Sequence, residues 1–173
     1  MIFVLLIGLI FSINSFDLLV NESYCVYDHV YSDTFTSNGV ICLIRCTFKS
    51  IKTRTNGGAI IISLKNNFGT QNYIDNCIFT QCFSKEGGAI YFNIDKKAST
   101  KIINSVFSKN YAILTSGGIF FNSIYEINKI QNDFQVQNCT FESNIGHKKG
   151  GFIYYYNLNS SFENCIFSDN NLS

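Results

Sequence analysis

Asn76-Cys77-Ile78-Phe79-Thr80-Gln81-Cys82, followed by Gly87-Gly88-Ala89-Ile90-Tyr91-Phe92, is the phrase that decides the fold. It recurs along the chain. Cys46-Thr47-Phe48 precedes Gly57-Gly58-Ala59-Ile60, and Asn104-Ser105-Val106-Phe107 precedes Gly117-Gly118-Ile119-Phe120. Asn138-Cys139-Thr140-Phe141 precedes Gly150-Gly151-Phe152-Ile153, and the phrase starts again at Asn164-Cys165-Ile166-Phe167. The repeated Phe falls at 48, 79, 107, 141 and 167, in steps of 31, 28, 34 and 26 residues. A phrase recurring at such a period signals a solenoid, a propeller or an array. From Phe to the first Gly the distance is 9, 8, 10 and 9 residues, so the length variation lies after the Gly-Gly strand. Insertions confined to one place per repeat are what a solenoid with loops on one edge produces.

Within the phrase the period is two: Cys77 and Phe79 lie on one side of an extended chain and Ile78 on the other. Phe134-Gln135-Val136-Gln137 alternates in the same way, and β-branched and aromatic residues follow each Gly-Gly pair. Two or three short strands per repeat, joined by bends, predict an all-β chain. The fold expected is a right-handed parallel β-helix of about five coils over 41–173. Phe48, Phe79, Phe107, Phe141 and Phe167 share one phase and should form an interior stack, flanked by Cys46, Cys77, Ser105, Cys139 and Cys165.

Asn76, Asn104, Asn138 and Asn164 each precede the Cys or Ser, between two strands that change direction. Asn tolerates the left-handed conformation such a bend requires. Stacked at one corner, the four amides can form a ladder; the alternative is a row of unconnected polar turn residues. The Gly-Gly pairs permit a tight turn, and no phosphate-binding Gly pattern accompanies them.

Gly-Gly-Ala-Ile is intact at 57–60 and 87–90 and drifts at 117–120 and 150–153. Phe-x-x-Asn is intact at Phe107/Asn110, Phe141/Asn144 and Phe167/Asn170, and becomes Phe79/Cys82 and Phe48/Ile51 elsewhere. This ordered alternation, over roughly residues 40–170, resembles the repeats of chlamydial-type polymorphic outer membrane proteins and of some protist surface proteins. The resemblance implies a β-helical region displayed on a cell surface, often adhesive. The membrane barrel that ends the bacterial members has no counterpart here, so their secretion route is not carried over.

Residues 1–16 are apolar and uncharged and read as a signal peptide, with an uncleaved anchor and a buried strand as alternatives. Residues 17–40 lack the repeat and are expected to cap the first coil, whose edge would otherwise be open for pairing. A net charge of +1 with two arginines makes no electrostatic case for nucleic acid, while 46% apolar content supports a packed core. Seven cysteines leave three readings open: small core filler, some disulfides, or a metal site. Core filler is the leading reading because Cys46, Cys77, Cys139 and Cys165 share a repeat position. No metal and no cofactor are expected. Sequons lie at Asn21, Asn138, Asn159 and Asn171, of which Asn21 and Asn159 suit a glycan best.

No catalytic residues emerge from the acids or histidines. Asp75 and Glu163 share a repeat position, but two coils intervene, and a glycosidase needs two carboxylates flanking one bond. The leading expectation is a non-catalytic structural or adhesion module, secreted or on the cell surface. The alternative is a carbohydrate-active β-helix enzyme, a lyase or hydrolase, or a degenerate relative. Expected partners are a protein or glycan at a cell surface, or a second copy end to end. Membrane contact is expected only through an uncleaved N-terminal segment or a region downstream of residue 173. The candidate binding face is set by alternation. If Ile60, Ile90, Phe120 and Ile153 point inward, then Tyr91, Phe121, Phe152 and Tyr154 point outward as an apolar strip. That strip is either open or covered by the connectors 65–72, 93–100, 123–133 and 157–161; a reversed phase would place it inside.

Overall fold

The computed structural model describes residues 25–64, 70–94, 98–123, 132–148, 150–154 and 158–173. The segment 1–16 read as a signal peptide, Asn21, the centres of the first three connectors and residue 157 of the fourth lie outside the described residues. Those that are described form 21 strands in four sheets, every pairing parallel, and none of them is helical. This is the parallel β-helix expected from the repeat.

A full coil visits sheets 1 to 4 in turn, and the first two coils contribute no strand to sheet 3. Sheet 1 holds Cys25–Tyr27, Cys42–Ile44, Thr70–Asp75, Ala98–Ile103, Asn132–Gln137 and Leu158–Glu163. Sheet 2 holds Val30–Tyr31, Thr47–Lys49, Ile78–Thr80, Val106–Ser108, Thr140–Glu142 and Ile166–Ser168. Sheet 3 is narrow, with Phe83–Ser84, Tyr111–Ala112, Ile145–Gly146 and Asn171–Leu172. Sheet 4 holds Phe35–Ser37, Ile60–Leu64, Ile90–Ile94, Ile119–Ser123 and Ile153–Tyr154. The described part of the stretch read as a cap is itself a coil. Cys25, Val30 and Phe35 pair in register with Cys42, Thr47 and Ile60 of the next coil.

Parallel strands lie about 4.8 Å apart, so equivalent side chains stack on one another. The Phe column does so. Ring centroids are 4.9 Å apart for Phe48–Phe79, 4.7 Å for Phe79–Phe107, 4.7 Å for Phe107–Phe141 and 5.3 Å for Phe141–Phe167. Tyr31 extends the column at 4.4 Å from Phe48. The first four Phe rings are fully buried, whereas Phe167, in the last coil, is 41% exposed. A second interior stack joins Phe92 and Phe121 at 4.2 Å, with Phe134 edge-on to Phe121 at 4.5 Å.

Two corners turn through left-handed residues. The first uses Asp28, Arg45, Asn76, Asn104, Asn138 and Asn164, with φ between 50° and 55°. The second uses Ser50, Gln81, Lys109, Ser143 and Asp169, with φ between 53° and 58°. The Gly-Gly turn is constrained by space as well. A Cβ on Gly88 would run into the Gly117 carbonyl of the next coil and lie 2.7 Å from the Tyr111 carbonyl oxygen.

Replacing Phe107 by Ala should cost about 3–5 kcal/mol in urea unfolding, because it leaves a ring-sized void in a closed stack. The same change at Phe167 should cost roughly 1 kcal/mol or less, since that ring already meets solvent. Equal costs at the two positions would contradict the stack's end effect.

Candidate functional site

The strip expected to face outward is shifted by one residue in the fourth coil. The backbone pairs Ile60 with Ile90, Ile90 with Ile119, and Ile119 with Ile153. Gly118 therefore stands level with Ala89, and Gly117 level with Gly88. Ile90 N donates to Gly118 O at 3.1 Å, and Ile119 N donates to Phe152 O at 2.8 Å. Phe121 is consequently interior, stacked on Phe92, and not on the outer face. Phe120, expected inside, lies outside the core in register with Tyr91 and Tyr154. Phe152 takes the Ala59/Ala89 position and packs partly buried against the core, 4.7 Å from the Phe167 ring.

The outward column is thus Ile61, Tyr91, Phe120 and Tyr154. Its rings stack at 5.6 Å for Tyr91–Phe120 and 5.5 Å for Phe120–Tyr154. It is not an open strip: Tyr91 is 8% and Phe120 7% exposed. The Tyr91 hydroxyl accepts from Asn122 Nδ2 at 3.2 Å, and burial pushes its pKa up.

The corner asparagines expected to form the amide ladder are aligned but exposed. Asn138 Nδ2 donates to Asn104 Oδ1 at 3.3 Å, and Asn104 Nδ2 donates to Asp75 Oδ1 at 3.0 Å. At the head of the same corner, Arg45 grips Asp28 through Nε at 2.6 Å and Nη2 at 2.8 Å, which holds the Asp28 carboxyl below its usual range. The buried ladder belongs to the asparagine of Phe-x-x-Asn. Asn110 Nδ2 donates to Asn144 Oδ1, and Asn144 Nδ2 to Asn170 Oδ1, both at 3.0 Å. The second Nδ2 hydrogens go to Phe79 O at 3.0 Å, Phe107 O at 2.9 Å and Phe141 O at 2.7 Å. The Oδ1 atoms accept from Cys82 N at 2.9 Å, Asn110 N at 3.1 Å and Asn144 N at 3.0 Å. The sequence signal was present in the spacing, three residues after Phe107, Phe141 and Phe167.

The cysteines divide by position. Cys25 and Cys42 form a disulfide that ties the first coil to the second. Cys46, Cys77, Ser105 and Cys139 make a buried polar column. Cys46 N donates to Cys77 Sγ at 3.4 Å, Cys77 N to Ser105 Oγ at 3.1 Å, and Ser105 N to Cys139 Sγ at 3.4 Å. Burial pushes Cys77 and Cys139 up to about 12 and Cys82 up to about 11. Thiols held protonated this way are poor nucleophiles at neutral pH. Among the described residues, no three His, Cys, Asp or Glu side chains gather as a metal site. Asp75 and Glu163 lie three strands apart in sheet 1, about 14 Å, beyond the roughly 5–9.5 Å of glycosidase carboxylates.

The ladder and the thiols each have measurable consequences. Asn144→Ala should cost about 3 kcal/mol or more in chemical unfolding, since it strands several buried donors and acceptors at about 1–3 kcal/mol each. Asn138→Ala, at an exposed corner, should cost less. For the thiols, a raised folded pKa gives stability that is complete below the unfolded value near 9 and is lost as pH rises toward about 12. Urea midpoints should therefore fall from pH 9 to pH 11, and Cys77→Ala should flatten that fall. Iodoacetamide at pH 8 should label Cys165, which is only half-buried, well before Cys77 or Cys139; equal labelling would contradict the packing described.

Compared with known proteins, the chain matches no family model, no curated protein and no solved structure.

Proposed function

We propose that this chain is a non-catalytic structural or adhesion module that works outside the cell, secreted or displayed on a surface. The observation that carries this reading is the Cys25–Cys42 disulfide between the first two coils. Such a bond persists in an oxidising compartment, where it braces the end of a solenoid that would otherwise fray. The repeat's resemblance to polymorphic outer membrane proteins, and the apolar segment 1–16 read as a signal peptide, support the same setting. A second feature supports a structural role. Many polar groups of the interior are engaged in inter-coil columns: Asn110, Asn144, Ser105 and Asn72 each bond across to a neighbouring coil. Several acids are held likewise, Asp28 by Arg45, Asp75 by Asn104 and Glu163 by Gln137. A body built in this way is a rigid spacer or display platform, with protein or glycan recognition left to its outer faces.

Fractionation of expressing cells, followed by thiol-specific mass labelling, tests the setting. The protein should be found in the medium or be shaved from intact cells by protease, with Cys25 and Cys42 oxidised. Recovery in the cytosol with both thiols reduced would overturn the extracellular reading. Incubation with a polysaccharide panel, with and without calcium, tests the absence of catalysis. Reproducible new reducing ends or unsaturated products would establish the carbohydrate-active alternative instead.

A further inference from the structure

The outward side of sheet 2 carries a pattern that neither the repeat nor the proposed role explains. The middle residue of each three-residue strand points into the Phe stack, so the first and third point out. The first outward column reads Val30, Thr47, Ile78, Val106, Thr140, Ile166. Its four apolar members are between 36% and 72% exposed. The other column reads Ser32, Lys49, Thr80, Ser108, Glu142, Ser168. Lys49 and Glu142 are exposed, and among the described residues neither has an ion-pair partner.

The first column reads the same way from either end, and the second does so with the sign of its charges exchanged. Threonine stands second and fifth in the first column, with Val or Ile in the other four places. In the second column a cation stands second and an anion fifth. The geometry points to this face as the contact of a two-fold dimer with a second copy of the chain. The two-fold axis runs parallel to the strands, between Ile78–Thr80 and Val106–Ser108. Rotation about it sets Val30 against Ile166, Thr47 against Thr140 and Ile78 against Val106. It also sets Lys49 of each copy against Glu142 of the other. Such a contact is isologous, so every pairing occurs twice. The alternative two-fold, along the solenoid axis, would bring Lys49 against Thr47 and leave both charges unmatched. A like-charge approach of Asp33 and Asp169 falls at the far corners, beyond the strand ends.

Six strands with about 4.8 Å spacing, and about five residues across, give a face of roughly 24 by 16 Å. Two such faces bury on the order of 800 Å² in total, below the roughly 1,200 Å² of a stable specific interface and in the range of transient encounters, so the dimer is weak and reversible. Opposed charges at this contact select its register more than they add affinity.

Sedimentation equilibrium of the full chain up to about 1 mM, the range of a weak contact, tests this directly. The expected result is a monomer–dimer equilibrium with no larger species. Lys49→Glu or Glu142→Lys alone, each setting like charges opposite one another twice, should weaken association about tenfold or more. The double variant Lys49→Glu/Glu142→Lys should restore it to within about threefold, the signature of a coupled pair. Ile78→Lys should abolish association, and all four variants should keep the parent melting temperature because the sites are exposed. A strictly monomeric chain would overturn the inference. So would a growing series of oligomers, which would place the contact at the open coil ends, or a double variant that fails to recover.

Discussion

Everything in this protein answers to the distance of about 4.8 Å between one coil and the next. At that spacing a side chain has its own counterpart above and below it, and the contacts repeat along whole columns. Flat rings suit the spacing because stacked faces need little more, which is why the Phe column runs from Phe48 to Phe141 with centroid separations of 4.7–4.9 Å. The same spacing excludes a Cβ at Gly88, where the neighbouring backbone already occupies its place.

Polar groups survive inside only by obeying the same rule. An amide has one donor pair and one acceptor, so a column of Asn110, Asn144 and Asn170 can link to itself and cap the adjacent strand ends at once. The column is replaced by Cys82 and Ile51 toward the N-terminal end, where the ladder stops. Cys and Ser interchange at 77, 105 and 139 because each accepts one backbone N–H and donates to a nearby carbonyl. A departure is visible at Ser116, which precedes the Gly117-Gly118 pair: its hydroxyl is buried and has no hydrogen-bond partner among the described residues. This kind of group usually costs stability, and it marks the coil in which the glycines are displaced.

With the inside committed to stacking, only the outer faces are open to a partner, and these differ. The face of sheet 4 carries stacked aromatics that are nearly closed off from solvent. The face of sheet 2 carries a column of β-branched residues, four of them exposed Val or Ile, beside a column of small polar residues interrupted by Lys49 and Glu142. A rigid, regular surface of this type loses little conformational entropy on binding, which compensates for a small area.

The repeat phrase by itself determined the coil, the Phe stack and the left-handed corner at Asn76, Asn104, Asn138 and Asn164. Each depends on a local alternation or on a residue type suited to φ near 50°. The second corner was not legible, because Ser50, Gln81 and Lys109 have no local preference for that conformation and are held there by the strands on either side. Nor did the non-repetitive stretch before residue 41 show that it forms a coil, since its pairing with 42–49 is made only in three dimensions. The choice of Cys25 and Cys42 as the disulfide follows from that same pairing. The outer face of sheet 4 was misread for a related reason. Matching glycine to glycine set Phe120 inside, while the hydrogen bonds between coils match Ile119 to Ile90 and Ile153. In a strand a one-residue slip exchanges the two faces, and register between coils is decided by backbone pairing that no single repeat contains.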